Sequence, residues 1–358
     1  MNIARKKQAT IVGLDVEAGS VAATEVEVNG RPRVTAAGLG SLPAGVFADG
    51  EVADADGLAD ALRELFAENK LSKKVRLGIA NQRVIVRTLR LPAIDSPTEM
   101  EAAIKFQAQE EIPMPLDQAV LDHQVVGGVQ AEAGKPAMVD VVVVAARRDM
   151  VTSFVVPLRK AGLQPVGIDL SAFGMIRALA QAPPASPDGN VQPIEAATLY
   201  CNVGDVTNLA VARGRACLFT RVAQTGFEGL IERVSAEQDL TQEHARLWLG
   251  HVGLDAPVEQ VEGDAHIVAG VRAALEDAAS ALLRELRMSL DYYGSREGVP
   301  PVERVLLCGP GSSIPGLNER LGSGLGVPVD NGKPEALETF DEATAARLTL
   351  PYGLALDS

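Results

Sequence analysis

Residues 9–20 read Ala-Thr-Ile-Val-Gly-Leu-Asp-Val-Glu-Ala-Gly-Ser, an apolar run that stops at a turn of small and acidic residues. Ala9 to Val16 has the composition of a buried strand, and Glu17-Ala18-Gly19-Ser20 turns it into Val21 to Val28, whose alternation predicts a second strand. Asn29-Gly30 tolerates positive φ and predicts a hairpin into a third strand, Arg33 to Gly40. The period then changes. Leu58, Ala61, Leu62, Leu65 and Phe66 form one helical stripe, and Val75 to Ala80 returns to a strand. The order is β-β-β-α-β.

The same design restarts after a Pro-, Ser-, Asp- and Gly-rich linker at Pro183-Pro184 through Pro193. Thr198 to Val203 is an apolar strand, followed by the small-residue loop Gly204-Asp205-Val206-Thr207. Asn208 to Ala212 and Ala216 to Arg221 flank Arg213-Gly214-Arg215 as a hairpin. Helical segments follow at 227–234, 241–249 and 266–293, then a strand at Val305 to Cys308 and a helix opening near Pro315. A duplicated α/β unit accounts for this order, with a cleft between the halves lined by strand-end turns.

Residues 83–145 interrupt the first half. Arg83 to Leu91 alternates as a half-buried strand. Ser96-Pro97-Thr98-Glu99 carries a cap, a proline for the first helical turn and a capping-box glutamate, so a helix is expected from there to about Glu111, before Pro113 and Pro115. Strands at 121–126 and 138–145 complete the insert. A helix over 150–161 ended by Gly162, a strand over 164–170 and a helix over 171–180 finish the half. The division is therefore 1–82 plus 146–182, an inserted 83–145, and 196–358.

Composition narrows the function. The 358 residues are 47% hydrophobic and 22% charged, enough for a full core, and 33 Lys plus Arg against 47 Asp plus Glu leave a net charge of −14. That charge, with aromatics at 4%, argues against nucleic acid or anionic lipid as a partner. No run approaches 18 apolar residues, and the basic start Met1 to Lys7 lacks the apolar stretch of a signal peptide, which predicts a cytoplasmic chain without membrane insertion. Cys201, Cys217 and Cys308 are too scattered for a zinc site or disulfide framework, and His123, His244, His251 and His266 show no metal-ligand spacing.

Three loops carry the chemistry. Residues 13–20, residues 201–208 and Leu307-Cys308-Gly309-Pro310-Gly311-Ser312-Ser313 each follow a strand, where backbone N–H groups, hydroxyls and a helix start favour an anion. In that order they resemble phosphate loop one, phosphate loop two and the adenosine loop of the actin/Hsp70/hexokinase-like ATPase superfamily. Within it the chain resembles the PilM family of type IV pilus assembly proteins. The residues that carry this are Val84 to Pro92, the run from Glu101 through Glu110-Glu111-Ile112-Pro113-Met114-Pro115-Leu116-Asp117, Phe219-Thr220-Arg221, and Leu306 through Gly326-Val327-Pro328.

The resemblance implies two ribonuclease H-like units around a central cleft, with an FtsA-type small subdomain inserted in the first. It implies ATP or ADP, with Mg, at Asp15, Gly19, Ser20, Asn202, Gly204, Asp205, Thr207, Gly309, Gly311 and Ser312, Asp15 serving the metal and Asp205 being the one candidate for catalysis. It also implies a groove for the N-terminal tail of PilN, a single-span inner-membrane protein, drawing on Arg87, Leu89, Ile104 and Phe106. PilO, PilC and the pilus motor ATPases would be indirect neighbours, and the protein would lie at the inner face of the membrane through its partners.

Four positions depart from the family pattern. Glu17 stands where a glycine is usual and Ala22 where a lysine follows it. Asn202 replaces the aspartate that opens loop two, and Pro310 removes an N–H from loop three. Together they predict a scaffold whose catalysis is weakened or lost. The alternatives are a working Mg-dependent ATPase or sugar-kinase-like enzyme, an FtsA-like division protein, which would end in an amphipathic membrane helix, and a GspL-type protein, which would continue into a membrane span.

Overall fold

A computed structural model describes residues 10–28, 30–129, 137–180 and 196–356. The basic start, Asn29 of the predicted hairpin, the 183–193 linker and the last two residues lie outside them.

The first half opens with β1 (Thr10–Glu17), β2 (Ser20–Glu27) and β3 (Arg33–Ser41), an antiparallel meander. A two-residue-strand hairpin, β4 (Phe47–Ala48) and β5 (Glu51–Val52), leads to α1 (Ala55–Glu68). Asp54 caps α1 by accepting from the N–H groups of Asp56 and Gly57, and the stripe Leu58, Leu62, Leu65 and Phe66 is buried. β6 (Lys74–Ile79) then adds in parallel to β1. The insert follows: β7 (Ile85–Pro92), α2 (Pro97–Glu111), β8 (Ala119–Val129) and β9 (Met138–Arg147). Ser96 caps α2 by accepting from the Glu99 N–H, as the motif predicts. α3 (Arg148–Lys160), β10 (Gln164–Leu170) and α4 (Ser171–Leu179) return to the first lobe.

The second half repeats the design with β11 (Ala197–Val203), β12 (Thr207–Arg213) and β13 (Ala216–Ala223) as its meander. After α5 (Phe227–Glu237), α6 (Gln242–Val252) and the long α7 (Ala265–Gly294) come β14 (Val302–Cys308), α8 (Leu317–Leu325), β15 (Val329–Asn331) and α9 (Glu342–Ala355). The two large sheets run β3-β2-β1-β6-β10 and β13-β12-β11-β14-β15, and in these orders both have two antiparallel pairings followed by two parallel ones. This is the duplication read from the sequence. The insert forms its own sheet, β7-β9-β8, against α2.

Two helices sit between the sheets. α4 and α9 share a core in which Met175, Ile176, Leu350 and Leu354 meet Leu14 and Leu77 of one sheet and Tyr200, Ala210 and Leu306 of the other. Residues 196–358 do not stay apart from the first sheet. The final helix crosses back, and Leu348, Tyr352 and Ala355 cover Val26 of β2. Among the described residues no helix is long and apolar enough to cross a membrane.

Candidate functional site

β1 and β2 pair residue by residue up to Glu17 opposite Ser20, so Ala18 and Gly19 form a two-residue turn. Opposite it, β11 and β12 close with Val203 opposite Thr207 and leave Gly204, Asp205 and Val206 as the second turn. The third loop leaves β14 at Gly309, whose φ of 83° starts a short helical turn. There the Ser312 N–H and hydroxyl both donate to the Gly309 carbonyl, at 3.1 and 2.8 Å.

The three turns converge as predicted. Asp15, Ser20, Asn202 and Gly309 line one cavity of about 10 Å³, together with Glu17, Ala22, Pro310 and Arg347. Asp15, Glu17, Asn202 and Asp205 line an adjoining one of about 20 Å³. A space of this size holds a water at most, not a phosphate. The turns have closed on each other. A Cβ on Gly204 would fall inside the Glu17 carboxylate, a Cβ on Gly309 inside the Asn202 amide, and a Cβ on Gly226 inside the Asp205 carbonyl.

Four carboxylates share this closed space. Asp15 and Glu17 keep some exposed surface, but both lie deep in the molecule. Burial pushes Asp15 up to about 7, with Asp205 adding to it and the Val16 N–H and Arg347 opposing. Burial likewise pushes Glu17 up to about 8, reinforced by Asp15, Asp205 and Glu228. Asp205 rises to about 6 through burial and Glu228, with the Ala18 N–H opposing. The counter-charges are Arg347 of α9 and Arg246 of α6. Arg246 holds Glu228 with both its oxygens at 2.7 and 2.6 Å, and this pair packs against Gly19.

Two larger spaces flank the closed one. A cavity of about 430 Å³ lies between α5 and α7, lined by Val203, Thr207, Gly226, Phe227, Leu275 and Leu317 among others. A second, of about 370 Å³, lies where the end of β6, the start of β7 and the β12–β13 hairpin meet. Arg87 lines it. Leu89 and Ile104, expected beside Arg87, are core residues of the insert, 4% and 3% exposed: Leu89 of β7 and Ile104 of α2 share one apolar cluster with Val141 and Val143 of β9. Phe106, on the opposite face of α2, is 67% exposed and lines neither space.

Residues 13–348 match a family model described as type IV pilus assembly protein PilM. The chain belongs to the PilM family. A solved PilM-PilN type IV pilus biogenesis complex matches with 25% identity and a TM-score of 0.76, covering 97% of this chain and 98% of that one. The ethanolamine utilization protein EutJ from Carboxydothermus hydrogenoformans matches at 16% identity and a TM-score of 0.52, covering 97% and 89%. A diol dehydratase-reactivating factor in nucleotide-free form matches at 9% and 0.50, covering 96% and 98%. The last two relate the fold alone.

Against the PilM pattern, several expected phosphate ligands are engaged elsewhere. The Thr207 hydroxyl donates to the Thr225 carbonyl, Ser312 bonds within its own turn, and Gly311 packs on Val203. Among the described residues no group of three or more His, Cys, Asp or Glu is arranged to hold a metal ion. The site also contains residues the sequence reading passed over: Glu228, Arg246 and Arg347. The Gly226-Phe227-Glu228-Gly229 helix start was a usable signal for the first. Arg347 needed α9, which the sequence reading did not predict.

Proposed function

We propose that this protein is a cytoplasmic scaffold of type IV pilus or pseudopilus assembly that docks the N-terminal tail of a PilN-like inner-membrane protein beside β7. The observation that carries the reading is the 370 Å³ groove and the amide buried in it. Asn208 is 2% exposed, its Nδ2 has no hydrogen-bond partner, and it lines the groove with Ile79, Val86, Arg87 and Arg221. An orphaned donor at such a depth is costly, and a carbonyl of an extended tail would satisfy it. Among the described residues β7 pairs with β9 alone, so its other edge offers further backbone bonds to that tail. The net charge of −14 suits a basic tail. The similar PilM-PilN complex supports the choice of partner. PilO, PilC and the motor ATPases would be reached through it, and the protein would lie at the inner face of the membrane.

The cleft is read as degenerate. The 430 Å³ cavity beside Thr207 and Gly226 is the right size and polarity for a nucleoside, while Glu17 and Asn202 leave the phosphate side without the groups that hydrolysis needs. The test is fluorescence anisotropy with a labelled synthetic peptide copied from the tail of the PilN-like protein made by the same cell. Micromolar binding is expected, weakened about tenfold by Asn208→Ala or Arg87→Ala, the loss of about one good hydrogen bond. Equal binding of a scrambled peptide would refute the docking site.

A further inference from the structure

Glu17 fills the gap between the first and second turns. Its carboxylate lies against the Gly204 backbone, the floor of the second turn, and the Asn202 Nδ2 is 2.9 Å from the point where a Gly204 Cβ would sit. The facing charges come from five elements. Asp15 projects from β1, Asp205 from the turn after β11, Glu228 from α5, Arg246 from α6 and Arg347 from α9. Arg246 is already engaged by Glu228. Arg347 is different. Its guanidinium forms no hydrogen bond or close ion pair among the described residues, yet it is deeply placed and balanced chiefly by Glu17. It lines the 10 Å³ cavity with Ala22, whose side chain brings no charge there.

We propose that the Glu17 carboxylate is a built-in substitute for a nucleotide phosphate, and that Arg347 is the cation that receives the phosphate when Glu17 is displaced. This rests on the reading of the cleft as a nucleotide site. A tethered carboxyl group competes for that place at a high effective concentration. The ligand class that fits is a nucleoside di- or triphosphate whose base and sugar enter the 430 Å³ cavity and whose phosphates reach past Thr207. The native chain then binds adenosine and ADP alike, because its phosphate seat is filled.

Titration calorimetry of adenosine and ADP, with the intact chain and three variants, tests this. Adenosine affinity is expected to be the same throughout. ADP should bind at least tenfold more tightly to Glu17→Gly than to the native chain, and less so to Glu17→Gln, which keeps the bulk. Adding Arg347→Met to Glu17→Gly should abolish the gain. Circular dichroism checks that each variant is folded, and the isosteric Glu17→Gln keeps the test open if the glycine variant unfolds. Native protein that binds ADP as tightly as Glu17→Gly would overturn the substitution while leaving the nucleotide site standing. A gain that survives Arg347→Met would overturn the role of Arg347. Failure of every form to bind either ligand would overturn the proposal together with the nucleotide reading.

Discussion

Replacing Gly353 by alanine tests whether the helix pair between the sheets is as tightly seated as its geometry indicates. Gly353 of α9 crosses Gly174 of α4 so closely that a Cβ there would overlap the Gly174 carbonyl oxygen, 2.7 Å from the carbonyl carbon and 2.9 Å from the Ala178 Cβ. Both neighbours on the Gly174 side are backbone, so no rotamer change relieves the overlap. The helices must part by roughly 1 Å to restore ordinary contact. They cannot slide instead, because Arg177 donates to the Gly353 carbonyl at 3.0 Å and is itself paired with Asp169. Separation loosens Leu350 and Leu354 from both sheets at once. A loss of about 3 kcal/mol follows, at the upper end for overpacking. With a urea slope of about 3 kcal/mol per M, the midpoint falls by about 1 M in a circular-dichroism titration. Gly250→Ala is the control, since nothing lies within 4 Å of its added methyl in α6. It should gain about 0.8 kcal/mol. A Gly353→Ala midpoint within about 0.3 M of the native one would refute the claim.

Three further outcomes are expected. Asp15, Glu17 and Asp205 all have folded values raised above their unfolded ones, so the stability they allow is complete below about pH 4 and falls as pH rises through about 6 to 8. Melting temperature should drop between pH 5 and pH 9, and Glu17→Gln should flatten that drop. In the insert, Ile104→Ala should cost about 3 kcal/mol and Phe106→Ala less than about 0.5 kcal/mol in urea melts, because one is core and the other exposed. Cys201 and Cys217 are buried and pushed up to about 12, so neither should react with a thiol-specific chromophore until urea unfolds the chain.

What the sequence disclosed follows from how its residues are shared between faces. α1 has one buried side and reads as a stripe, and α2 is announced by Ser96 and Pro97 and stopped by Pro113, so both were legible to within a few residues. α9 was not. Residues 348–355 are buried all round because sheets lie on both sides of the helix, which erases any periodic signal, and Pro351 inside it reads as a breaker. The loops that converge on the cleft were visible as small-residue turns after strands. Their closure was not, because it depends on Glu17 reaching Gly204, some 187 positions away, across a cleft that only the tertiary fold creates. The burial of Leu89 was hidden for a related reason. Alternation separates the two faces of a strand, and only the packed helix decides which face is inside.

The return of α9 to the first lobe sets an order of events during synthesis. Val26 of β2 is covered by Leu348, Tyr352 and Ala355, which leave the ribosome more than 300 residues later. At ordinary elongation rates that gap is on the order of half a minute. Throughout it Val26 lacks its cover, so the first sheet is completed only by the last residues to be made.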